Sequence, residues 1–146
     1  MDSDNSHKQM DAKVSKNKLG DIPVSKIMKQ KPICLRPNYS IKGTIETFRT
    51  HHISGAPVID EEGKIIGIVS EYDLLIQAAA KTLNSSIDYN KKVFFIKQTT
   101  NLKDVLILLY KNKFKRIPVV DDHERVVGSV SRIDVLAYIA ENEPSI

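Results

Sequence analysis

A serine followed three residues later by an aspartate occurs twice in this chain, as Ser70-Glu-Tyr-Asp73 and Ser131-Arg-Ile-Asp134. Each copy follows a short apolar run and precedes apolar residues at helical spacing, so we expect each serine to start a helix. One use of this spacing is a capping box, in which the serine hydroxyl accepts from a helical N–H and the aspartate carboxylate lies near the helix start. Such a cap stabilises a helix by about 1 kcal/mol and requires no ligand.

The same two side chains also suit a ligand. A strand that leads directly into a helix presents N–H donors and the positive end of the helix dipole. A carboxylate at that place can accept two hydrogen bonds from a vicinal diol such as ribose. Upstream, Pro57 and Pro118 hold the preceding residues extended, which leaves the backbone of Ala56 and Ile117 available to the edge of a flat heterocycle. From the residues alone, the capping and the ligand-binding interpretations both stand.

These motifs belong to an internal duplication. Five identities recur at one offset of 61 residues, namely Pro57/Pro118, Asp60/Asp121, Gly67/Gly128, Ser70/Ser131 and Asp73/Asp134. Matches at one offset with no gap between them indicate two copies of one structural unit. A copy of roughly 55 residues would bury its apolar strands poorly alone, so we expect the two copies to pack together.

The apolar pattern predicts strand, helix, strand, strand and helix in each copy. In the first copy we expect a strand at Ile33–Leu35 and a helix from Ser40 that carries Ile41, Phe48 and His52 on one face. In the second copy we expect the corresponding strand at 93–96, and Asn101 to cap the next helix. Asp60 and Asp121 open the predicted hairpin turns.

The sequence therefore predicts an α/β fold of two strand-helix-strand-strand-helix repeats, packed through their sheets with pseudo-twofold symmetry. The predicted boundaries are a flexible N-terminal tail over residues 1–21, a first repeat over 22–83, a connector over 84–92 and a second repeat over 93–142.

Composition argues against several classes of protein. The chain has 146 residues, 41% of them hydrophobic and 27% charged, as in ordinary globular proteins. No apolar run approaches the roughly 18–20 residues that span a membrane, and the N-terminus has no apolar signal core. Cys34 is the only cysteine, so an intramolecular disulfide is impossible. We therefore expect a cytoplasmic protein that has no membrane partner.

Enzymatic and metal sites are not indicated. The sequence contains no Ser-His-Asp set, no glycine-rich phosphate loop and no zinc-ligand spacing, so we expect neither an enzyme nor a metal protein. His51 and His52 are adjacent and would point about 100° apart on a helix, unlike two ligands at i and i+4.

The net charge is +4, and the densest basic run is 111–116. That run fits a solvated helix end, where cations complement the dipole, or an anion site. Nucleic-acid binding normally needs clustered Lys and Arg with exposed aromatic residues, so we expect no nucleic-acid partner. If this expectation is wrong, the affinity for oligonucleotides would fall steeply with salt.

The two copies of apolar-Pro-Val-apolar-Asp, a turn and Gly-x-Val-Ser-x-x-Asp resemble a tandem pair of cystathionine β-synthase (CBS) domains, a Bateman module. The segments Val24–Met28 and Pro32–Pro37 are similar to the start of the family's first repeat, and the resemblance covers about residues 24–141. It implies two clefts that commonly bind adenosine-containing ligands such as AMP, ADP or ATP, with or without Mg. It also implies a homodimer that regulates an effector protein, here unknown.

The resemblance also assigns site residues. In the family, the ribose aspartate of one repeat faces the base-binding strand and pre-proline backbone of the other. Carried over by position, one cleft would use Ser70 and Asp73 with Phe94, Phe95, Lys115, Arg116, Ile117 and Pro118. The other would use Ser131 and Asp134 with Ile33, Cys34, Ser54, Gly55, Ala56 and Pro57.

This chain departs from the family pattern at a few positions. Cys34 stands where the family often has threonine, and a thiol is a weaker hydrogen-bond donor than a hydroxyl. Lys115 and Arg116 match positions that often carry phosphate-binding residues, whereas the first repeat has Ser54 and Gly55 there. The cleft that contains Arg116 therefore has the better phosphate chemistry.

Two functions follow from these expectations. The first is a regulatory sensor of adenosine nucleotides without catalytic activity. The alternative is a ligand-free dimerisation or docking module in which both Ser-x-x-Asp elements serve only as helix caps.

Overall fold

The computed structural model describes Lys8 and residues 18–142 of the chain. Its helices are α1 Ile41–His51, α2 Glu71–Ala80, α3 Leu102–Asn112 and α4 Arg132–Asn142. Its strands are β1 Lys29–Gln30, β2 Gly55–Ile59, β3 Ile65–Ser70, β4 Ile96–Lys97, β5 Arg116–Val120 and β6 Val126–Ser131. Short 3-10 turns occupy Leu19–Asp21 and Val24–Lys26. The predicted α/β class is confirmed.

The chain divides into two compact units. Among the described residues, unit I comprises residues 31–95 and 120–127, and unit II comprises Lys8 and residues 18–30, 96–119 and 128–142. Each unit is built around one copy of the duplicated sequence. Residues 22–30, which the sequence analysis placed in the first repeat, belong to unit II with the second copy.

Unit I is built on the hairpin of β2 and β3, with α1 and α2 packed around it. Its core contains the side chains of Leu35, Ile41, Phe48, Ala56, Val58, Val69, Leu74 and Ile87. The Ser40 hydroxyl caps α1 as predicted, because it accepts from the N–H of Gly43 at 2.9 Å. The helix ends one residue before His52, which adopts a left-handed backbone (φ 53°) and is exposed. The prediction that His52 shares a helical face with Ile41 and Phe48 was therefore wrong.

The predicted first strand of each repeat is shorter in the structure. In unit I the segment Ile33–Leu35 contributes a single parallel bridge, from Leu35 to Val58. The prolines at 32 and 37 flank this segment, and a proline nitrogen cannot donate to a ladder, so the pairing does not extend. In the second repeat the expected strand at 93–96 is replaced by β4, which begins only at Ile96.

Unit II contains a four-stranded sheet in the order β1-β6-β5-β4. Asn101 caps α3 as predicted, since its Oδ1 accepts from the N–H of Asp104 at 2.9 Å. Residues 1–7 and 9–17 of the predicted flexible tail lie outside the described residues. The end of that tail, Leu19–Asp21, forms a 3-10 turn whose Leu19 is fully buried. This end therefore belongs to the packed unit, because its leucine takes a place in the core.

The repeated glycines are explained by close packing. A Cβ added to Gly67 would collide with the ring of Tyr89 and lie 2.8 Å from the carbonyl oxygen of Asn90. A Cβ added to Gly128 would lie 2.6 Å from Sδ of Met28. Met28 and Tyr89 are themselves 61 residues apart. In both units, then, the segment that leads into a repeat crosses directly over a glycine of the sheet.

The repeated aspartates at 60 and 121 close the hairpin turns. Oδ1 of Asp60 accepts from two backbone N–H groups of its turn, both at 2.9 Å. Oδ1 of Asp121 accepts from the N–H groups of His123 at 2.8 Å and Arg125 at 3.0 Å. These bonds, led by the one from the Arg125 backbone, lower the pKa of Asp121 below its ordinary value of 3.8.

Candidate functional site

The first Ser-x-x-Asp element is a complete capping box at the start of α2. The Ser70 hydroxyl oxygen accepts from the N–H of Asp73 at 3.1 Å. Oδ2 of Asp73 accepts in return from the N–H of Ser70 at 3.0 Å and from its hydroxyl at 2.9 Å. The capping interpretation of this element is therefore correct.

The second element has the same arrangement with looser geometry. Oδ2 of Asp134 accepts from the N–H of Ser131 at 2.8 Å, and the return bond to the Ser131 hydroxyl is 3.4 Å long. Ser131 is buried, and Asp134 is half-buried. In both aspartates, then, the capping bonds use the Oδ2 atom of the carboxylate.

Capping leaves one oxygen of each carboxylate available. Among the residues that the structure describes, every hydrogen bond to Asp73 and Asp134 goes to Oδ2, and none goes to Oδ1. An ionised carboxylate has two acceptor oxygens with about four lone-pair sites. Each aspartate can therefore cap its helix and still accept hydrogen bonds from a ligand hydroxyl.

The pre-proline segment of unit I lies next to the capping box in the same hairpin. Gly55 pairs with Ser70 across β2 and β3, and the N–H of Glu71 donates to the carbonyl of Ser54 at 2.8 Å. The carbonyl of Pro57 accepts from the N–H of Leu35 at 2.8 Å, which ties the segment before the first helix to β2.

The Cys34 side chain is half-buried and lies close to the backbone two residues earlier. Its Sγ lies 3.6 Å from the carbonyl oxygen of Pro32. Burial raises the pKa of the Cys34 thiol above its ordinary value of 9.0, and the charge of Arg36 offsets part of that rise. At neutral pH the group is a protonated thiol, which is a weak donor.

The predicted phosphate-binding arginine is held by a buried serine. Nη1 of Arg116 donates to Oγ of Ser129 at 2.6 Å, and Ser129 is 6% exposed. Sequence reasoning missed Ser129; the signal for it was that the first repeat has the apolar Ile68 at the corresponding position. In the same unit, the guanidinium of Arg132 donates to the carbonyls of Lys113 at 2.8 Å and Phe114 at 2.9 Å, which fixes the loop before Arg116.

The predicted site residues are distributed over both units. Unit I holds Ser70, Asp73, Phe94, Phe95, Ile33, Cys34, Ser54, Gly55, Ala56 and Pro57, and unit II holds Lys115, Arg116, Ile117, Pro118, Ser131 and Asp134. Each predicted cleft draws residues from both units, and the assembly of either cleft stays a prediction.

Equivalent surfaces of the two units carry different crevices. In unit I a crevice of about 570 Å³ is lined by Phe48, Arg49, His52, Ile53, Ser54 and Glu71. In unit II the corresponding repeat positions contribute to a crevice of about 500 Å³ that is lined by Leu106, Leu109, Tyr110, Lys113, Arg132, Val135 and Leu136. The first is mostly polar and the second mostly apolar. Sequence reasoning did not single out Arg49 or Glu71.

Comparison with known protein families finds the same two copies that the internal repeat indicates. The sequence model of the CBS domain matches twice in tandem, over residues 24–79 and 85–141. The chain belongs to the CBS domain family. No helix among the described residues of this CBS pair has the length and apolar character needed to cross a membrane.

One relative of the CBS pair is a much longer protein. An uncharacterised protein of Methanocaldococcus jannaschii, MJ1225, is 31% identical over 123 residues, which are 82% of this chain and 44% of the relative. The chain thus spans less than half the length of that relative.

Among solved structures, CBSX2 in complex with AMP is 27% identical with a TM-score of 0.73, over 82% of this chain and 97% of the other. CBSX2 is a protein of Arabidopsis thaliana. The CBS domain pair of MJ0100, in complex with 5′-methylthioadenosine and S-adenosyl-L-methionine, is 28% identical with a TM-score of 0.68, over 82% of this chain and 96% of the other.

Proposed function

We propose that this CBS pair is a regulatory module that binds an adenosine nucleotide (AMP, ADP or ATP) and catalyses no reaction. The observation that carries the proposal is the uncommitted Oδ1 of Asp73 and of Asp134, each held in place by a capping box. Two similar CBS pairs were solved with adenosine-containing ligands, which supports the ligand class. A ligand regulates only through its different affinities for two states of the protein.

The proposed roles follow the chemistry of each residue. Asp73 and Asp134 accept hydrogen bonds from ribose hydroxyls through Oδ1, while Ser70 and Ser131 keep these carboxylates in position. Arg116 neutralises phosphate, with Lys115 beside it. Only Nη1 of Arg116 donates to Ser129, so the other N–H groups of the guanidinium can donate to phosphate while this bond is kept.

Isothermal titration calorimetry with AMP, ADP, ATP, NAD and S-adenosylmethionine tests the proposal, with Asp73→Ala and Asp134→Ala as variants. Hydrogen bonds to charged groups contribute about 1.5–3 kcal/mol, so the affinity should fall at least about tenfold where the altered aspartate binds ribose. If only one variant loses affinity, only that site is occupied.

Asp104→Ala is the matched control. Asp104 occupies the same third helical position of α3, where its Oδ2 accepts from Asn101 at 3.3 Å, but it is not a proposed ligand residue. This variant removes a carboxylate from the same helical position and should bind nucleotide like the wild type. The proposal fails if no ligand of the panel binds, or if both site variants bind as well as Asp104→Ala. The module would then be a ligand-free docking domain with two capped helices.

We also propose that the CBS pair forms a homodimer. Helix α2 exposes Tyr72 (74%), Leu75 (68%) and Ile76 (64%), and helix α4 exposes Ile133 (66%) and Leu136 (57%). Several large apolar side chains exposed on one helix often mark an interaction surface. Light scattering coupled to gel filtration measures the molar mass directly. A monomer across the micromolar range would contradict the dimer without affecting the nucleotide proposal.

A further inference from the structure

Gln77 on α2 is a buried polar side chain that the nucleotide proposal does not use. It is 8% exposed, and its amide meets the backbone of the connector between the repeats. Nε2 of Gln77 donates to the carbonyl of Asp88 at 2.9 Å, and Oε1 accepts from the N–H of Asp88 at 2.8 Å. One side chain thus binds both backbone groups of one connector residue. We call these two bonds the Gln77 clamp.

The clamp shares a face of α2 with a proposed ligand residue. Asp73 and Gln77 are four positions apart, so they lie one above the other on the same side of the helix. Asp73 is in the first turn, where its Oδ2 caps the helix and its Oδ1 is proposed to accept from ribose. The same face of α2 therefore carries the ribose contact and, one turn later, the clamp.

The other backbone bonds of the connector go to different elements of unit I. The N–H of Ile87 donates to the carbonyl of Tyr39 at 2.9 Å, just before α1. Asn90 exchanges two bonds of 2.9 Å with Ile68 on β3. Among the described residues, the bonds that join the connector backbone to α2 are those of Gln77. The clamp is thus the backbone attachment between the connector and the helix that carries Asp73.

The connector leads directly to a predicted base contact. The N–H of Lys92 donates to Oδ1 of Asn90 at 2.9 Å, and Phe94 follows two residues later. Phe94 is 39% exposed and belongs to unit I, as Asp73 does. A partly exposed aromatic ring can stack on a nucleotide base. Holding the connector against α2 therefore fixes the spacing between a base contact and a ribose contact within one unit.

The shared fold does not require this clamp. At the corresponding positions unit II has Tyr138 in place of Gln77 and Ile27 in place of Asp88. There the N–H of Ile27 donates to the carbonyl of Val24 at 3.0 Å, within the lead-in segment itself. One lead-in segment is held without a side-chain amide and the other with one, so the clamp is specific to unit I.

We propose that Gln77 is a positioning residue for nucleotide binding. It holds the connector against α2, so that Phe94 meets the adenine base while Asp73 accepts from the ribose. Contacts that are fixed before the ligand arrives lower the ordering cost of binding. The inference rests on the proposed function and names a residue that sets the geometry of that site without touching the ligand.

Calorimetry with AMP, ADP and ATP tests the positioning role. Gln77→Met keeps the length and the buried apolar part of the side chain but can form neither bond. A neutral hydrogen bond changes an equilibrium constant by a factor of about 2–12, so the affinity should fall by about threefold to tenfold. Lys81→Ala is the matched control, because it removes the ion pair to the Asp88 carboxylate and leaves the clamp intact. It should bind like the wild type.

A double-mutant cycle shows whether Gln77 acts through the base contact. Phe94→Ala should weaken binding by itself. In the Phe94→Ala background, Gln77→Met should cost nothing further, because the ring that the clamp positions is gone. An equal loss in both backgrounds, or a Phe94→Ala variant that binds like the wild type, would overturn the inference.

Hydrogen exchange provides a test that needs no variant and is independent of whether Gln77→Met folds. Coupling is reciprocal, so a nucleotide whose site depends on the clamp should in turn tighten it. Whichever of AMP, ADP and ATP binds should slow exchange of the Asp88 amide at least about threefold more than exchange of the α3 amides. The α3 amides are the reference for a general gain in stability. Equal slowing at both places would contradict the positioning role.

The outcomes separate this inference from the proposed function. If the wild type binds no nucleotide of the panel, the function and the positioning role both fail. If the wild type binds and Gln77→Met binds as tightly, the function stands and the positioning role alone is wrong.

Discussion

At one pair of repeat positions, unit I has Gly55 and Ile68, whereas unit II has Arg116 and Ser129 joined by a 2.6 Å hydrogen bond. At another pair the two units are identical, with Gly67 and Gly128 each lying under a lead-in segment. At the two glycines the neighbouring backbone and side chains leave no room for a Cβ. At the pair that differs, unit II carries the arginine that we propose to bind phosphate.

The crevices extend this comparison. Both units place a crevice at corresponding helix positions, but unit I lines it with Arg49, His52 and Glu71 and unit II with leucines, a valine and a tyrosine. The shared backbone therefore supports two different surfaces. The two copies therefore have the same backbone arrangement but present different side chains to a ligand or partner.

Adding a methyl group at the repeated glycines is the strongest test of the shared packing. Gly67→Ala should lower the free energy of unfolding by about 1–3 kcal/mol, because the new Cβ meets an aromatic ring and a backbone oxygen that cannot move away. Gly128→Ala should cost less, since the flexible side chain of Met28 can yield and the nearest backbone oxygen, that of Lys29, lies farther away at 3.0 Å. Urea denaturation measures both.

The control for this experiment is Gly20→Ala, whose added Cβ would meet nothing within 4 Å. If Gly67→Ala and Gly128→Ala were as stable as this control, close packing would not be the reason for the repeated glycines.

Arg116 has a glycine, Gly55, at the corresponding position of unit I, so removing Arg116 tests whether the two units differ in phosphate binding. Arg116→Ala should weaken ATP binding by about tenfold, the contribution of a charge-assisted hydrogen bond, and leave adenosine binding unchanged. Calorimetry with the two ligands measures the difference, and Lys111→Ala serves as the control within the same basic run. Equal losses for ATP and adenosine would contradict a role in phosphate binding.

Removing the equivalent caps of α1 and α3 tests whether two different residues do the same work. Ser40→Ala and Asn101→Ala should each lower the free energy of unfolding by about 1 kcal/mol, because each leaves one N–H without its acceptor. Thr50→Ala, at an exposed position of α1, should change it by less than about 0.5 kcal/mol. A cost in only one of the two helices would show that the caps are not equivalent.

The smallest expected effect concerns the hairpin turn that carries Asp121. The folded state lowers the pKa of this carboxyl below 3.8, so the ionised form stabilises the fold at pH values above 3.8 and the contribution is lost as the pH falls through the lower folded-state pKa. The stability difference between the wild type and Asp121→Asn should therefore shrink as the pH is lowered in that range. Thermal unfolding from pH 7 to pH 2 measures it, with Asp122→Asn as the control. A difference that stays constant over the whole range would contradict the assignment.

Much of the site was predictable because its interactions are local. The capping box at Ser70 and the turn at Asp60 join atoms of residues no more than four positions apart, so spacing alone indicates them. The contrast with Ile68 could have singled out Ser129, but its pairing with Arg116 was not predictable, since Arg116 lies on the other strand of a hairpin whose register the sequence does not specify. His52 was misplaced because a left-handed residue ends α1 there without a glycine to signal it.

By itself, the sequence determined the duplication, the order of helices and strands, the caps, the turns and the family. The caps and turns depend on groups within one turn of a helix or hairpin, and the duplication and the family show in the order and spacing of residues along the chain. Only the tertiary structure decided that residues 22–30 belong to unit II, that Met28 covers Gly128, and that equivalent crevices are polar in one unit and apolar in the other. Met28 and Gly128 are 100 positions apart. Contacts over such separations arise from how the elements pack, and local residue patterns carry no information about them.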